Sequence, residues 1–376
     1  MPISPMDEFL AHQTSETVDH VATSDRNFYD RYYFNCHPSS DELFLIAGLG
    51  QYPNLGVTDA FVSISHGDQH TVVRASRELG HDRFDTSVGP LRVEVVEGLR
   101  RLRVVCEPNV WGVAFDLTFT GTVRAIEEPK TFRREHGRIT SDVSRYAQVG
   151  TWEGALEVGG MTHVVTPDAW KGARDRSWGV RPVGEAEPPG IRAKAFLSGT
   201  HGFFHQWLPM QFDDFVVKVQ FDELFDGTRI QEESVLVWND GSGRPDEHLG
   251  RPDIDITYVP GTREIERAVL TLDGPTGRRT ITSTPLRTVY LKAGTGYMPH
   301  DGWGHGFYQG PLKVEGLTFD LSTAEARAQW SGLNETLARF ELDTGEVGFG
   351  LHENMVVGTY LPHGFDSFDA VAPERD

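Results

Sequence analysis

Short apolar runs of period two, cut again and again by glycine or proline, leave this chain few folds to choose from. Val113, Phe115, Leu117 and Phe119 share one face of an extended segment, and Ala114, Asp116, Thr118 and Thr120 share the other. Phe215, Val217, Val219 and Phe221 stand in the same relation to Val216, Lys218, Gln220 and Asp222. Similar runs occupy residues 43–47, 60–65, 70–77, 91–106, 152–165, 192–207, 232–238, 254–259, 264–272, 279–291, 307–320 and 346–360. Gly 40 and Pro 21 among 376 residues supply the turns between them. Turn signals at about ten-residue intervals are those of sandwiches and antiparallel barrels. Helix is expected mainly from Ser322 to Phe340, where Ser322 and Glu325 make an S-x-x-E box and Trp330, Leu333, Leu337 and Phe340 fall at helical spacing. Residues 6–20 form a second short helix or an unstructured arm.

The charge balance narrows the partners. A net charge of -20 and a pI near 5.1 repel nucleic acid and anionic lipid. Cys36 and Cys106 stand in no CxxC or zinc spacing, which fits a reducing compartment. The opening MPISPMDEFL has no basic leader, and no run approaches the roughly 18 apolar residues of a membrane span. A cytoplasmic location without integral membrane association is expected, and a homodimer stays open. Walker A, H-E-x-x-H and G-x-S-x-G sequences are absent, as is a G-x-G-x-x-G between strand and helix, so phosphoryl transfer, nicotinamide chemistry and hydrolase triads lose their support. No cofactor and no metal are expected.

One phrase recurs. Trp152-x-Gly154-x-Leu156-x-Val158-x-Gly160 returns as Tyr308-x-Gly310-x-Leu312-x-Val314-x-Gly316, which reads as duplication of a barrel-sized unit. The Pro- and Gly-rich VGEAEPPG supplies a linker. The expected division is an N-terminal arm over 1–24, a first unit over 25–187, a second over 188–362 and a tail over 363–376.

Chemistry concentrates in a few segments. Arg174-Asp175-Arg176-Ser177-Trp178-Gly179-Val180-Arg181 packs three arginines around one aspartate and a tryptophan, groups that each need partners when desolvated. It is either an interdomain clamp or a site with Asp175 as acid. His201, Phe203, His205 and Trp207 share one face of a strand. The loop from Tyr297 to Tyr308 carries His300, Asp301, Trp303 and His305 among glycines. In Leu351-His352-Glu353-Asn354, His352 and Asn354 share a face and Glu353 takes the other.

The R-D-R-S-W-G-V-R run, the W-x-G-x-L-x-V-x-G phrase before it, and the later G-H-G-F-Y-Q-G and G-F-G-L-H-E phrases resemble the AttH and carotenoid-hydratase (hydroxyneurosporene synthase-like) type of tandem lipocalin-like protein. The resemblance spans most of residues 25–360. It implies two packed barrels and, among its members, hydratases of isoprenoid double bonds and fungal proteins of similar fold that catalyse pericyclic cyclisations. Its commoner motif is D-H-S-W-G; Arg176 here replaces the histidine, so no imidazole acid or base carries over to that position.

The expected fold class is all-β, two lipocalin-like antiparallel β-barrels in tandem with a few short helices. The expected function is a cofactor-independent hydratase, or a related lyase or isomerase, acting on a lipophilic alkene of terpenoid, steroid or polyketide-like character. A carboxylic acid kept protonated by an apolar pocket would donate the proton. Asp175 is the expected acid, with His205 or His305 removing the final proton. Arg176, Trp178, His201, Trp207, Trp303 and Tyr308 are expected to line a site at the junction of the two units. The competing readings are a non-catalytic carrier of lipophiles and a cyclase that works by positioning.

Overall fold

The structure is a computed structural model that describes residues 3–183, 190 and 202–375. Strands dominate it, as the alternation requires. They run β1 (Phe28–Cys36), β2 (Leu43–Tyr52), β3 (Val57–His66), β4 (Gln69–Glu78), β5 (Ser87–Val88), β6 (Leu91–Glu97), β7 (Arg101–Cys106), β8 (Val113–Gly121), β9 (Ile126–Glu127), β10 (Thr131–Glu135), β11 (Arg138–Val158), β12 (Met161–Val165) and β13 (Lys171–Val180). Then come β14 (Phe203–Gln211), β15 (Phe215–Leu224), β16 (Arg229–Trp238), β17 (Glu247–His248), β18 (Arg251–Tyr258), β19 (Ile265–Gly274) and β20 (Gly277–Tyr290). The chain closes with β21 (Leu312–Asp320), the one-turn helix α1 (Ala324–Ala328), β22 (Asn334–Leu342) and β23 (Val347–Val357).

Two antiparallel sheets share one plan. The first runs β4-β3-β2-β1-β13-β11-β8-β7-β6, and the second runs β17-β16-β15-β14-β23-β22-β20-β19-β18. In each, the first strand pairs with the last at the centre, early strands step away on one side, and late strands return on the other. Each sheet rolls toward closure: β5 and β6 come near β3, and β16 comes near β18. This is the tandem all-β barrel architecture with little helix. Each interior is packed with side chains. Tyr32, Phe34, Phe119 and Trp152 fill the first, and Phe204, Leu208, Phe221 and Phe340 the second. Cys36 and Cys106 are free thiols buried in the first core.

The two units are not consecutive in the chain. Met1–Pro38, Leu43–Ala186 and Lys292–Asp320 form the first, and Ser39–Glu42, Glu187–Leu291 and Leu321–Asp376 the second. A single cut near residue 187 therefore misses the return of Lys292–Asp320. That segment brings β21 to the outer edge of β4, with Val314 opposite Ala75 and Gly316 opposite Val73. An edge strand presents unpaired N–H and C=O groups, and β21 satisfies those of β4.

The return also reassigns the repeated phrase. Its first copy lies in β11 and its second runs into β21, so both belong to the first sheet and do not mark equivalent places in two barrels. Trp152 is a core residue whose Nε1 donates to the Asn35 carbonyl at 2.9 Å, whereas Tyr308 is 59% exposed. The likeness between the two units lies in strand order instead.

The helix expected over Ser322–Phe340 is also corrected. Only α1 forms, capped by Thr323, whose hydroxyl accepts from the Ala326 N–H at 3.1 Å. Gly332, at φ +107, then turns the chain. Beyond it β22 pairs with both β20 and β23, and Ala338, Phe340 and Leu342 enter the core as a period-two row. Tertiary pairing overrides the helical spacing.

Candidate functional site

Strand β13 lies between β1 and β11, so the R-D-R-S-W-G run sits at the centre of the first sheet. Alternation splits it. Arg174 and Arg176 stand opposite Phe34 and Tyr32 of the interior, while Asp175 stands opposite Tyr33 and Ala147 on the outer face.

The inner half is a clamp, although not between domains. Arg174 donates from Nη1 and Nη2 to the two carboxylate oxygens of Glu8, each at 2.8 Å, and to Gln148 Oε1. Tyr146 and the Leu99 N–H also donate to that carboxylate, at 2.9 and 2.8 Å. Arg176 pairs with Asp30 and donates to the Phe9 carbonyl at 2.6 Å. Its guanidinium lies 5.0 Å from the Trp178 ring centre, and His12 stacks on that ring at 4.6 Å. Glu8, Asp30, Arg174 and Arg176 are all buried. The expected arm thus begins with a 3₁₀ turn, Pro5–Glu8, tied to the barrel by its last residue. Arg176 and Trp178, expected to bind substrate, hold this segment on the face opposite Asp175.

The outer face around Asp175 is built differently. Its floor is made of small residues: Gly48 and Gly50 on β2, Ser177 and Gly179 on β13, and Ala147 on β11. A Cβ on Gly48 would stand 2.6 Å from the Phe61 ring, and one on Gly50 would stand 2.9 Å from Arg31 Cγ. The two glycines leave room for the side chain of Arg31, which is 3% exposed. Arg31 Nη1 donates to His305 Nδ1 at 2.6 Å, and the other ring nitrogen of His305 donates to the Thr295 carbonyl at 3.1 Å. Tyr297 lies over the guanidinium at 5.0 Å. Beside it the Asp59 carboxylate accepts from Tyr52 at 3.3 Å and from the Gly306 N–H at 2.7 Å, and burial pushes its carboxyl up to about 6.

Asp175 is half-buried and has no hydrogen-bond or ion-pair partner among the described residues. Burial raises its carboxyl to about 6, against the opposing pull of Arg145, Arg181 and Arg31. Arg31 links two segments far apart in sequence, since its charge acts on Asp175 while its guanidinium binds His305. The expected proton acceptor His305 is otherwise occupied. Both ring nitrogens are engaged, and burial, together with Arg31 and Arg181, holds it well below its usual value and therefore neutral. It positions Arg31.

In the second unit, His205 on the outer face of β14 bonds through Nδ1 to Asp222 at 2.5 Å, and its Nε2 lies 3.8 Å from Glu353. Burial opposes its charge, yet Asp222 and Glu353 prevail and raise its pKa to about 10. Held between two carboxylates, His205 favours its protonated form, whereas the expected role of proton acceptor needs the neutral one. Trp207 is buried opposite Gln220 and Glu353. His352 and Asn354 face inward as alternation requires: His352 bonds to Ser283 at 2.8 Å and to Gln206 at 3.0 Å, and burial lowers it to about 3. His201 lies outside the described residues.

Of the remaining expected residues, Trp303 is covered by Arg74 at 4.5 Å and Lys313 at 5.1 Å, and Tyr308 donates to Glu78 at 3.0 Å on the surface. Sequence reasoning missed Glu8, Arg31 and Asp59. The legible signals were a charged Asp30-Arg31 pair inside an aromatic strand and glycines two apart in the next strand, where a side chain must cross.

The model of a family described as a "Family of unknown function (DUF8625)" matches residues 3–366. No curated protein matches the sequence. Among solved structures, an AttH-like protein from Nitrosomonas europaea is similar at a TM-score of 0.52 with 14% identity, over 89% of this chain and 94% of that one. Kievitone hydratase from Nectria haematococca gives 0.49 with 12% identity, over 96% and 99%. CghA with Sch210972 gives 0.48 with 10% identity, over 92% and 90%. The likeness to the AttH-like protein establishes the fold expected from the sequence resemblance, and the fold alone.

Proposed function

The chain belongs to this family of unknown function, DUF8625, and we propose that it is an enzyme, a cofactor-independent hydratase or related lyase or isomerase acting on a lipophilic alkene by acid catalysis. One observation carries the reading: Asp175 is a half-buried carboxyl without a partner, raised to about 6, on a floor of small residues beside tyrosines. An acid near pH 6 holds a useful protonated fraction at neutral pH and gives its proton up readily.

In the hydration direction Asp175 transfers its proton to one alkene carbon, water adds to the other, and the proton that water loses returns to the Asp175 carboxylate. Tyr33 and Tyr29 on β1 and Phe61 on β3 supply apolar walls for the substrate. Arg31, fixed by His305, tunes the acid by opposing the rise that burial imposes. Trp207, His205, Trp303 and Tyr308 have no step in this scheme.

The test begins with ligands copurifying with the full chain, identified by native mass spectrometry. The lipophilic alkenes found there are then incubated with the protein in isotopically labelled water. Product carrying one labelled oxygen, formed by the wild type and reduced at least a hundredfold by Asp175→Asn, is expected. Turnover by Asp175→Asn at the wild-type rate would remove Asp175 from the mechanism.

A further inference from the structure

Several polar atoms on the same outer face are buried and have no hydrogen-bond partner among the described residues. Arg31 uses Nη1 on His305, but its Nη2 is buried and unpaired. The Tyr29 hydroxyl, two residues earlier on the same face of β1, is buried and unpaired as well. Arg181 directly follows β13, and its guanidinium lies 4.4 Å from the centre of the Tyr29 ring. That guanidinium makes no hydrogen bond or ion pair among the described residues, and its Nε is buried. The register ties these groups together, since Tyr29 stands opposite Gly179 and Arg31 opposite Ser177, with Asp175 next along the same face of β13. Three buried donors thus belong to the sheet face that carries the unpartnered acid. Buried donors without acceptors are rare in folded proteins, and arginine is the side chain best shaped to take a carbonyl or carboxylate oxygen.

We infer that the substrate is an alkene conjugated to a carbonyl or carboxylate oxygen, and that Arg31, Arg181 and Tyr29 hold that oxygen. The inference rests on the hydratase reading above and gives it a substrate class. Two guanidiniums would repel the bare carbocation formed by protonating a simple hydrocarbon alkene. They would instead stabilise the negative charge that develops on oxygen when water adds to a polarised one. In that sequence the oxygen of water bonds to the carbon remote from the carbonyl and the π pair moves toward the carbonyl oxygen. Asp175 then protonates the carbon next to the carbonyl, and the proton lost by the added water restores the acid. Atoms and electrons balance with no further reactant.

Binding can be measured apart from turnover with two probes of one skeleton, benzylideneacetone and trans-β-methylstyrene, the second lacking the carbonyl. Calorimetric titration of the full wild-type chain is expected to show benzylideneacetone binding at least tenfold more tightly. Arg181→Met removes a guanidinium whose contact among the described residues is the Tyr29 ring, which a methionine can still cover, so it should fold as the wild type does and erase that preference while leaving trans-β-methylstyrene unchanged. Arg31→Lys keeps the charge but loses the fork, and a several-fold loss for benzylideneacetone alone is expected. Equal affinity of the wild type for both probes, or a preference untouched by Arg181→Met, would overturn the inference. If the preference depends on Arg181 while Asp175→Asn keeps full turnover, the oxygen site stands and the assignment of the acid falls.

Discussion

Asp175 and Glu8 are both acids against the first barrel, and their surroundings give them opposite energetic roles. Asp175 is raised toward 6 by burial, so the folded state holds its proton more tightly than the unfolded state does. Its contribution favours the fold at low pH and is lost as pH rises from the unfolded value near 3.8 through about 6. Asp175→Asn is therefore expected to raise the melting temperature at pH 7.5 and to leave it nearly unchanged at pH 4. A fall at pH 7.5 would reveal a structural partner. Glu8 is a matched ion instead, with both oxygens on Arg174. Glu8→Gln leaves a buried guanidinium without its counter-charge and should cost about 3 to 5 kcal/mol in urea unfolding, whereas Arg174→Met combined with Glu8→Leu should recover most of it. The sequence pointed to Asp175 because an acid among arginines stands out. It hid Glu8, because nothing local in PMDE reveals a partner more than 160 residues away.

Among the elements, β21 departs furthest from the reading of the sequence. Its alternation marks it as a strand, and the residues from Leu312 to Asp320 do form one. Its partner could not be read, because alternation encodes which face is buried and says little about which edge completes the ladder. Ser76 of β4 and Lys313 of β21 stand directly opposite each other. Paired cysteines at these positions should oxidise to a crosslink that joins peptides from both segments after proteolysis, detectable by mass spectrometry. Failure to crosslink under mild oxidation would contradict the pairing. α1 and β22 teach the complementary lesson. Of four apolar residues at helical spacing, Leu337 and Phe340 went to a two-sided ladder, since Gly332 broke the chain and β20 and β23 offered partners on both flanks. A single Gly332→Ala should cost about 1 kcal/mol, because the substituted residue must keep a positive φ.

For the whole molecule, the interrupted order of the units has a direct consequence. A fragment that ends at residue 183 carries β1 to β13 but lacks Lys292–Asp320, so β4 becomes a bare edge and Asp59 loses the Gly306 N–H. Such a fragment is expected to aggregate on expression, and coexpression with the remainder of the chain should restore soluble protein. A monomeric, cooperatively melting fragment would show that the first unit needs no return segment. No helix among the described residues is long and apolar enough to cross a membrane. The sequence by itself determined the all-β class, most strand positions and the segment holding the unpartnered acid, because period-two burial and turn chemistry are local properties. Only the tertiary structure decided that Arg174 and Arg176 turn inward to hold Glu8 and Asp30 while Asp175 turns outward toward Arg31. It also decided that His305 comes to that arginine from a returning loop, and that the repeated phrase lies twice in one sheet. Those outcomes depend on which edges and charges meet across long stretches of chain, and neither propensity nor spacing records such meetings.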